Sequence, residues 1–117
     1  MTRYAAIAAA ILVAGSAAAQ SEGAAFEEMR DKTRDLGIAM GNIYACADED
    51  AARAQMRDDA NFIFDLLLKD AGSDMAFVFA VNAGAGTAAS ADTLDCAALK
   101  ETHSQILEEF GIEEAGQ

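Results

Sequence analysis

The chain has 117 residues, with 20 acidic against 8 basic side chains and a formal net charge of −12 at pH 7. This length allows one domain with a modest core. The negative charge repels nucleic acid and anionic membrane surfaces, so binding to either is not expected. A solvated surface is the ordinary reason for such acidity, and attraction to a basic partner is the functional alternative.

The first 19 residues have the features of a secretory signal peptide. Arg3 precedes an uncharged apolar run at residues 4–14, and Ala18 and Ala19 are among the small residues that a signal peptidase reads. We therefore predict cleavage after Ala18 or Ala19, which leaves a single small helical domain, residues 20–117, in the periplasm. The apolar run is too short to span a bilayer, so no membrane contact is expected after cleavage.

The sequence contains two cysteines, Cys46 and Cys96. In an exported domain of this size they are expected to form a structural disulfide, since only one pairing within the chain is possible. Closing a loop of about 50 residues would remove unfolded-state entropy worth roughly 4 kcal/mol. Neither cysteine has a second one nearby as in C-x-x-C, so thiol redox catalysis is not expected.

Apolar spacing predicts helices throughout, and the chain has no proline to break them. The first helix covers about residues 21–47, where Gly37 and Gly41 lie near the apolar stripe and would either let another helix approach closely or mark local weakness in the helix. The second begins at residues 48–50, whose carboxylates are expected to accept free backbone amides, and Gly72 is placed to end it with a left-handed cap.

The third segment, residues 75–89, would serve as a buried strand as readily as a helix. A helix is preferred because a lone strand would have no partner. The last helix starts near Thr93 or Asp95 and stops at Gly111, beyond which a frayed acidic end is expected. The predicted fold class is all-α, a small bundle of about four helices with one disulfide.

Steps of three and four residues define an apolar stripe on three of these helices, and the methionines fall at core spacing. The stripes consist of Phe26, Met29, Thr33, Leu36, Met40, Ile43 and Ala47; of Met56, Ala60, Ile63 and Leu67; and of Cys96, Leu99, His103, Ile106 and Phe110. The second helix ends with apolar residues around most of its circumference, which is typical of a central core helix or of one that contacts a partner. The predicted partner-binding apolar surface comprises Phe62, Phe64, Leu66, Leu68 and Phe77.

No catalytic, cofactor-binding or metal-binding residue is predicted. His103 shares a helical face with Cys96, but a histidine on an apolar face is usually a packed structural residue, and the cysteine is expected to be oxidised. The acidic residues 48–50, Asp58 and Asp59 miss the spacing of a calcium-binding EF-hand loop, so helix capping and solvation explain them. An enzyme is not expected.

Residues 36–46, which end in Cys46, the run Ala80 to Gly84 and the later Cys96 carry a resemblance that covers about residues 36–110. The chain resembles a family of small exported bacterial two-cysteine helical proteins of unknown function. They share a Gly- and Leu-rich helix ending in Cys, a central Ala-Phe-Asn-x-Gly-Tyr type motif, and a second Cys opening the last helix. Val81 and Ala85 depart from that motif, and the resemblance implies fold, disulfide and export but no mechanism.

These features favour a non-enzymatic periplasmic binding or accessory protein whose partner is another periplasmic protein, acting as a monomer or a homodimer. The alternative is an acid-stress periplasmic chaperone of the HdeA type, which the chain is similar to in size, export, helical content and a cysteine pair 50 residues apart. In that mechanism low pH neutralises the carboxylates, the remaining positive charges repel, and apolar surface becomes available to unfolding clients.

Overall fold

The computed structural model of the protein describes residues 19–112. Four α-helices form over these residues, with a short 3-10 turn at Ala91–Thr93: α1 (Ala19–Cys46), α2 (Asp50–Asp70), α3 (Ser73–Thr87) and α4 (Cys96–Phe110). The predicted all-α fold is confirmed, and the ambiguous third segment is helical. Residues 1–18 of the predicted signal peptide and residues 113–117 lie outside the described residues. No helix of the described part has the length and apolarity that a membrane span requires.

The backbones of α1 and α3 touch, and glycines make this contact possible. A Cβ atom on Gly37 would lie 2.6 Å from the carbonyl oxygen of Phe79, and one on Gly41 would lie 2.7 Å from the Cα atom of Gly86 and collide with the carbonyl oxygen of Ala83. Later residues of α1 meet later residues of α3, so the two helices run parallel. Of the two interpretations of these glycines, the structure shows the close approach of a second helix.

All four helices contribute side chains to one core. Its members share almost complete burial: Leu36, Met40, Ile43, Met56, Ile63, Leu67, Ala76, Phe79 and Ile106. The predicted stripes of α1 and α2 supply most of them, and Met29 and Met75 are buried as well. Phe26 differs from its predicted core position and is 42% exposed. It lies near the start of α1, where its neighbours are Ser73 and Asp74 at the start of α3.

The ends of α4 follow the sequence prediction. The Asp95 side chain accepts a hydrogen bond from the backbone N–H of Ala98 at 3.1 Å, which satisfies one free amide of the first turn. Gly111 ends the helix with φ of +69°, a left-handed conformation that glycine adopts without strain. Gly72 differs from the prediction: its φ of +97° is positive, but its ψ of 170° lies outside the left-handed helical region, so the predicted left-handed cap is not formed where the chain turns between α2 and α3.

The start of α2 differs from the prediction. Glu49 occupies the N-cap position, but its side chain makes no capping hydrogen bond. Asp50 instead accepts from the guanidinium of Arg53, three residues along the same helix, at 3.0 Å. The carboxylates here therefore act through their charge near the helix N-terminus and through an ion pair, without accepting the backbone amides.

A disulfide joins Cys46 to Cys96, with the two Cα atoms 5.8 Å apart. It links the last residue of α1 to the first residue of α4. The predicted pairing is confirmed, and it places the start of α4 beside the end of α1.

Candidate functional site

An apolar groove opens at the end of the bundle where α1 begins, α2 ends and α3 begins. Its volume is about 710 Å³. The aromatic and aliphatic side chains along it are Phe26, Phe64, Leu68, Phe77 and Val78. Phe77 is 67% exposed, Leu68 45% and Phe26 42%, so three large apolar side chains of this groove meet solvent. We call the surface that these aromatic and aliphatic side chains line the apolar groove.

Two charged side chains border the apolar groove. Arg30 comes from α1 and Asp74 from the first turn of α3. Opposite charges beside an apolar surface can orient a bound segment, because each attracts a different end of it.

The structure brings together part of the surface predicted from sequence. Phe64, Leu68 and Phe77 line the apolar groove, whereas Phe62 and Leu66 do not. Phe62 is 45% exposed on another side of α2, and Leu66 is half-buried. Phe26 also lines the apolar groove, although its spacing matches the buried stripe of α1 and predicts a core position.

A second cavity, of about 850 Å³, lies between the end of α1, the first half of α2 and α4. The disulfide forms part of its wall, together with apolar side chains such as Met56 and Leu107. The same wall carries a polar group that consists of Asp59, His103 and Gln55. We call this space the Asp59 cavity.

Asp59 is a buried carboxylate, 2% exposed, with two polar partners. The Gln55 side-chain amide donates to its Oδ1 atom at 2.9 Å, and the Nε2 atom of His103 lies 3.4 Å from its Oδ2 atom. The contact with His103 is an ion pair when the imidazole is protonated and a long hydrogen bond when it is neutral and Nε2 carries the proton.

Solvation of Asp59 was expected, and its burial is therefore a correction. Asp59 follows Met56 by three residues and precedes Ile63 by four, which puts it on the same face of α2 as the apolar stripe. That position in the stripe is the signal that could have predicted a buried carboxylate. Its partner His103 lies on the matching face of α4.

The Asp59 cavity holds a carboxylate and an imidazole, with Lys100 on the same wall. A carboxylate that orients an imidazole can support proton transfer beside a nucleophile. The described residues that line this cavity include no serine or threonine, and both cysteines are oxidised in the disulfide. Within residues 19–112 there is also no group of three or more His, Cys, Asp or Glu side chains placed to hold a metal ion.

The fold and these two sites define a small disulfide-linked helical protein with an exposed apolar groove. Comparisons with protein-family models, with curated proteins and with solved structures find no match to this chain. The resemblance to small exported two-cysteine proteins therefore stays a prediction, and so does everything that it implies beyond the helices and the disulfide.

Proposed function

We propose that this chain is a non-enzymatic exported binding or accessory protein that engages another protein through the apolar groove. The observation that carries the proposal is the exposure of Phe77 beside Leu68 and Phe26, at the mouth of one groove. Apolar side chains exposed as a group, with polar residues at the edge, mark interaction surfaces.

The exposed apolar side chains of this surface would contribute part of the free energy of a specific contact. A phenylalanine that is 67% exposed presents on the order of 130 Å² to water. Burying that area would contribute about 3 kcal/mol, before the entropic cost of association. Phe77 is therefore the expected anchor, with Leu68 and Phe26 closing around the partner side chain.

The partner that fits the apolar groove is a protein segment with an apolar face and charges of both signs at its edges. Its acidic group would approach Arg30 and its basic group Asp74, which fixes the direction of binding. Export rests on the N-terminal sequence pattern, and the disulfide is compatible with an oxidising compartment.

A matched pair of variants tests the proposal. Leu68→Asp places a carboxylate in the apolar groove, whereas Phe62→Asp places one at an equally exposed position of α2 outside it. We expect in-cell photo-crosslinking from position 73 to give a discrete adduct with the unsubstituted protein and with Phe62→Asp. The adduct should be lost with Leu68→Asp. Loss with both variants, or with neither, would contradict docking in the groove.

The acid-stress chaperone of the HdeA type is the second candidate. It is supported by the excess of 20 acidic over 8 basic residues, whose neutralisation would leave a net positive chain at low pH. A titration from pH 7 to 2 would follow near-UV and far-UV circular dichroism together with suppression of client aggregation. Unfolding with client protection would favour the chaperone, and a protein that stays folded and protects nothing would exclude it.

A further inference from the structure

α3 carries no charge along most of its length. No charged side chain occurs from Met75 to Ala91, although the chain as a whole has a net charge of −12. A helix that is apolar on all sides is normally surrounded by protein. Here Phe77 and Val81 are 67% and 50% exposed, so one side of α3 lacks a neighbour among the described residues.

The two sides of α3 are distinct. The inner side packs against α1 through the backbone at Phe79, Ala83 and Gly86. The opposite side is exposed and consists of Phe77, Ala80, Val81, Gly84, Ala85 and Ala88. We call these six residues the outer face of α3. Phe77, Val81, Gly84 and Ala88 follow one another by four, three and four residues, which is the spacing of one helical stripe.

We propose that the outer face of α3 binds the same face of a second copy of this chain, with the two helices antiparallel. Antiparallel pairing centred between residues 82 and 83 places Phe77 opposite Ala88 of the second copy and Val81 opposite Gly84. Ala80 then faces Ala85. Each large side chain of the first half meets a small residue of the second half, so the face is complementary to itself, as a two-fold interface requires.

Charge does not oppose a second copy at this face, although it opposes contact at others. Two strongly acidic chains repel at most orientations, because carboxylates cover their surfaces. The outer face of α3 lets two copies meet without opposed charges at the centre of the contact. The nearest carboxylates along the chain, Asp74 and Asp92, lie beyond its two ends, and added salt would screen the repulsion that remains.

The expected contact is small. One face of a 15-residue helix buries less than the roughly 800 Å² per partner of a standard interface. The dimer should therefore be weak and in equilibrium with the monomer. Phe77 belongs both to this face and to the apolar groove, but the other five residues of the face do not line the groove. The dimer therefore goes beyond the proposed function but shares the Phe77 side chain with it, so a second copy and the groove partner would compete for that side chain.

Sedimentation velocity of the disulfide-bonded protein, from about 10 μM to 1 mM, measures this association. We expect a dimer that grows with protein concentration and that tightens when salt is added. Val81→Glu should raise the dissociation constant by at least about tenfold, because two carboxylates would lie near the centre of the contact. The groove variant Leu68→Asp should leave the constant unchanged.

Gly84 provides a sharper test because a Cβ atom added there meets nothing within 4 Å in the single chain. Gly84→Val should therefore leave the fold intact, as circular dichroism would show, while it blocks Val81 of the second copy. The double variant Val81→Ala with Gly84→Val exchanges the large and small positions and should restore dimerisation. A protein that is monomeric at about 1 mM, or a double variant that dimerises no better than Gly84→Val, would overturn the proposal.

Discussion

His103 on α4 places its Nε2 atom 3.4 Å from the Oδ2 atom of Asp59 on α2. The carboxylate is buried, and Gln55 donates to its other oxygen at 2.9 Å. This polar group lies on the wall of the Asp59 cavity beside apolar side chains such as Met56 and Leu107. The His103 contact links α4 to α2, since a shift of either helix would separate the imidazole from the carboxylate, whereas Gln55 lies on α2 and would move with Asp59.

Replacing Asp59 by alanine should lower the free energy of unfolding by about 2 kcal/mol, because Gln55 and His103 would lose their acceptor. Asp58→Ala is the matched control, since Asp58 is the exposed neighbour on the same helix and its loss should cost less than about 0.5 kcal/mol. Urea unfolding followed by circular dichroism measures both. Equal effects of the two substitutions would show that the buried pair adds nothing to stability.

Gly41→Ala should destabilise the protein by at least about 2 kcal/mol, because the new Cβ would collide with backbone atoms of α3 that cannot rotate away. Gly84→Ala on α3 provides the control, because a Cβ atom added at Gly84 meets nothing within 4 Å. That substitution should stabilise the helix by up to about 1 kcal/mol. Thermal unfolding at low protein concentration measures the stability of both variants. A Gly41→Ala variant as stable as the unsubstituted protein would contradict the backbone contact.

Reduction of the disulfide should cost about 4 kcal/mol, because it releases a loop of 50 residues in the unfolded chain. The same loss is expected for the double variant Cys46→Ser with Cys96→Ser. Hydrogen exchange should report faster opening in α4 than in α1 and α3, whose backbone contact does not involve the cysteines. Uniform loss of protection in all helices would contradict this order.

Two helix starts provide a prediction on capping. Asp95→Ala should destabilise the protein by about 1 kcal/mol, because its carboxylate accepts the Ala98 amide at 3.1 Å. Glu49→Ala removes an acidic N-cap residue without a capping bond and should cost only a few tenths of a kcal/mol. Denaturant midpoints of the two variants provide the comparison, and a larger effect at Glu49 would be inconsistent with these geometries.

The helices and the disulfide could be predicted from the sequence, whereas the close approach at Gly37 and Gly41 was one of two interpretations that the sequence left open. The helices follow from the local spacing of apolar residues. The disulfide follows because Cys46 and Cys96 are the two cysteines of the sequence. The buried stripes followed from the same spacing of apolar residues, because α1 and the first half of α2 are polar on one side and apolar on the other.

The groove could be predicted only in part. Apolar residues surround the end of α2, so the sequence does not indicate which of Phe62, Phe64, Leu66 and Leu68 faces solvent. The position of α3 decides this, and it depends on the glycine contact with α1. Phe26 was missed because spacing alone cannot show that the stripe of α1 continues past the end of the core.

The presence of two cysteines also limits which incorrect disulfides the protein can form. With only two cysteines, Cys46 has no incorrect partner within its own chain, so oxidation cannot trap a scrambled monomer. An incorrect disulfide between protein chains must therefore link separate molecules, and its frequency rises with protein concentration. Oxidative refolding at high protein concentration would yield covalent oligomers, and dilution would reduce their amount.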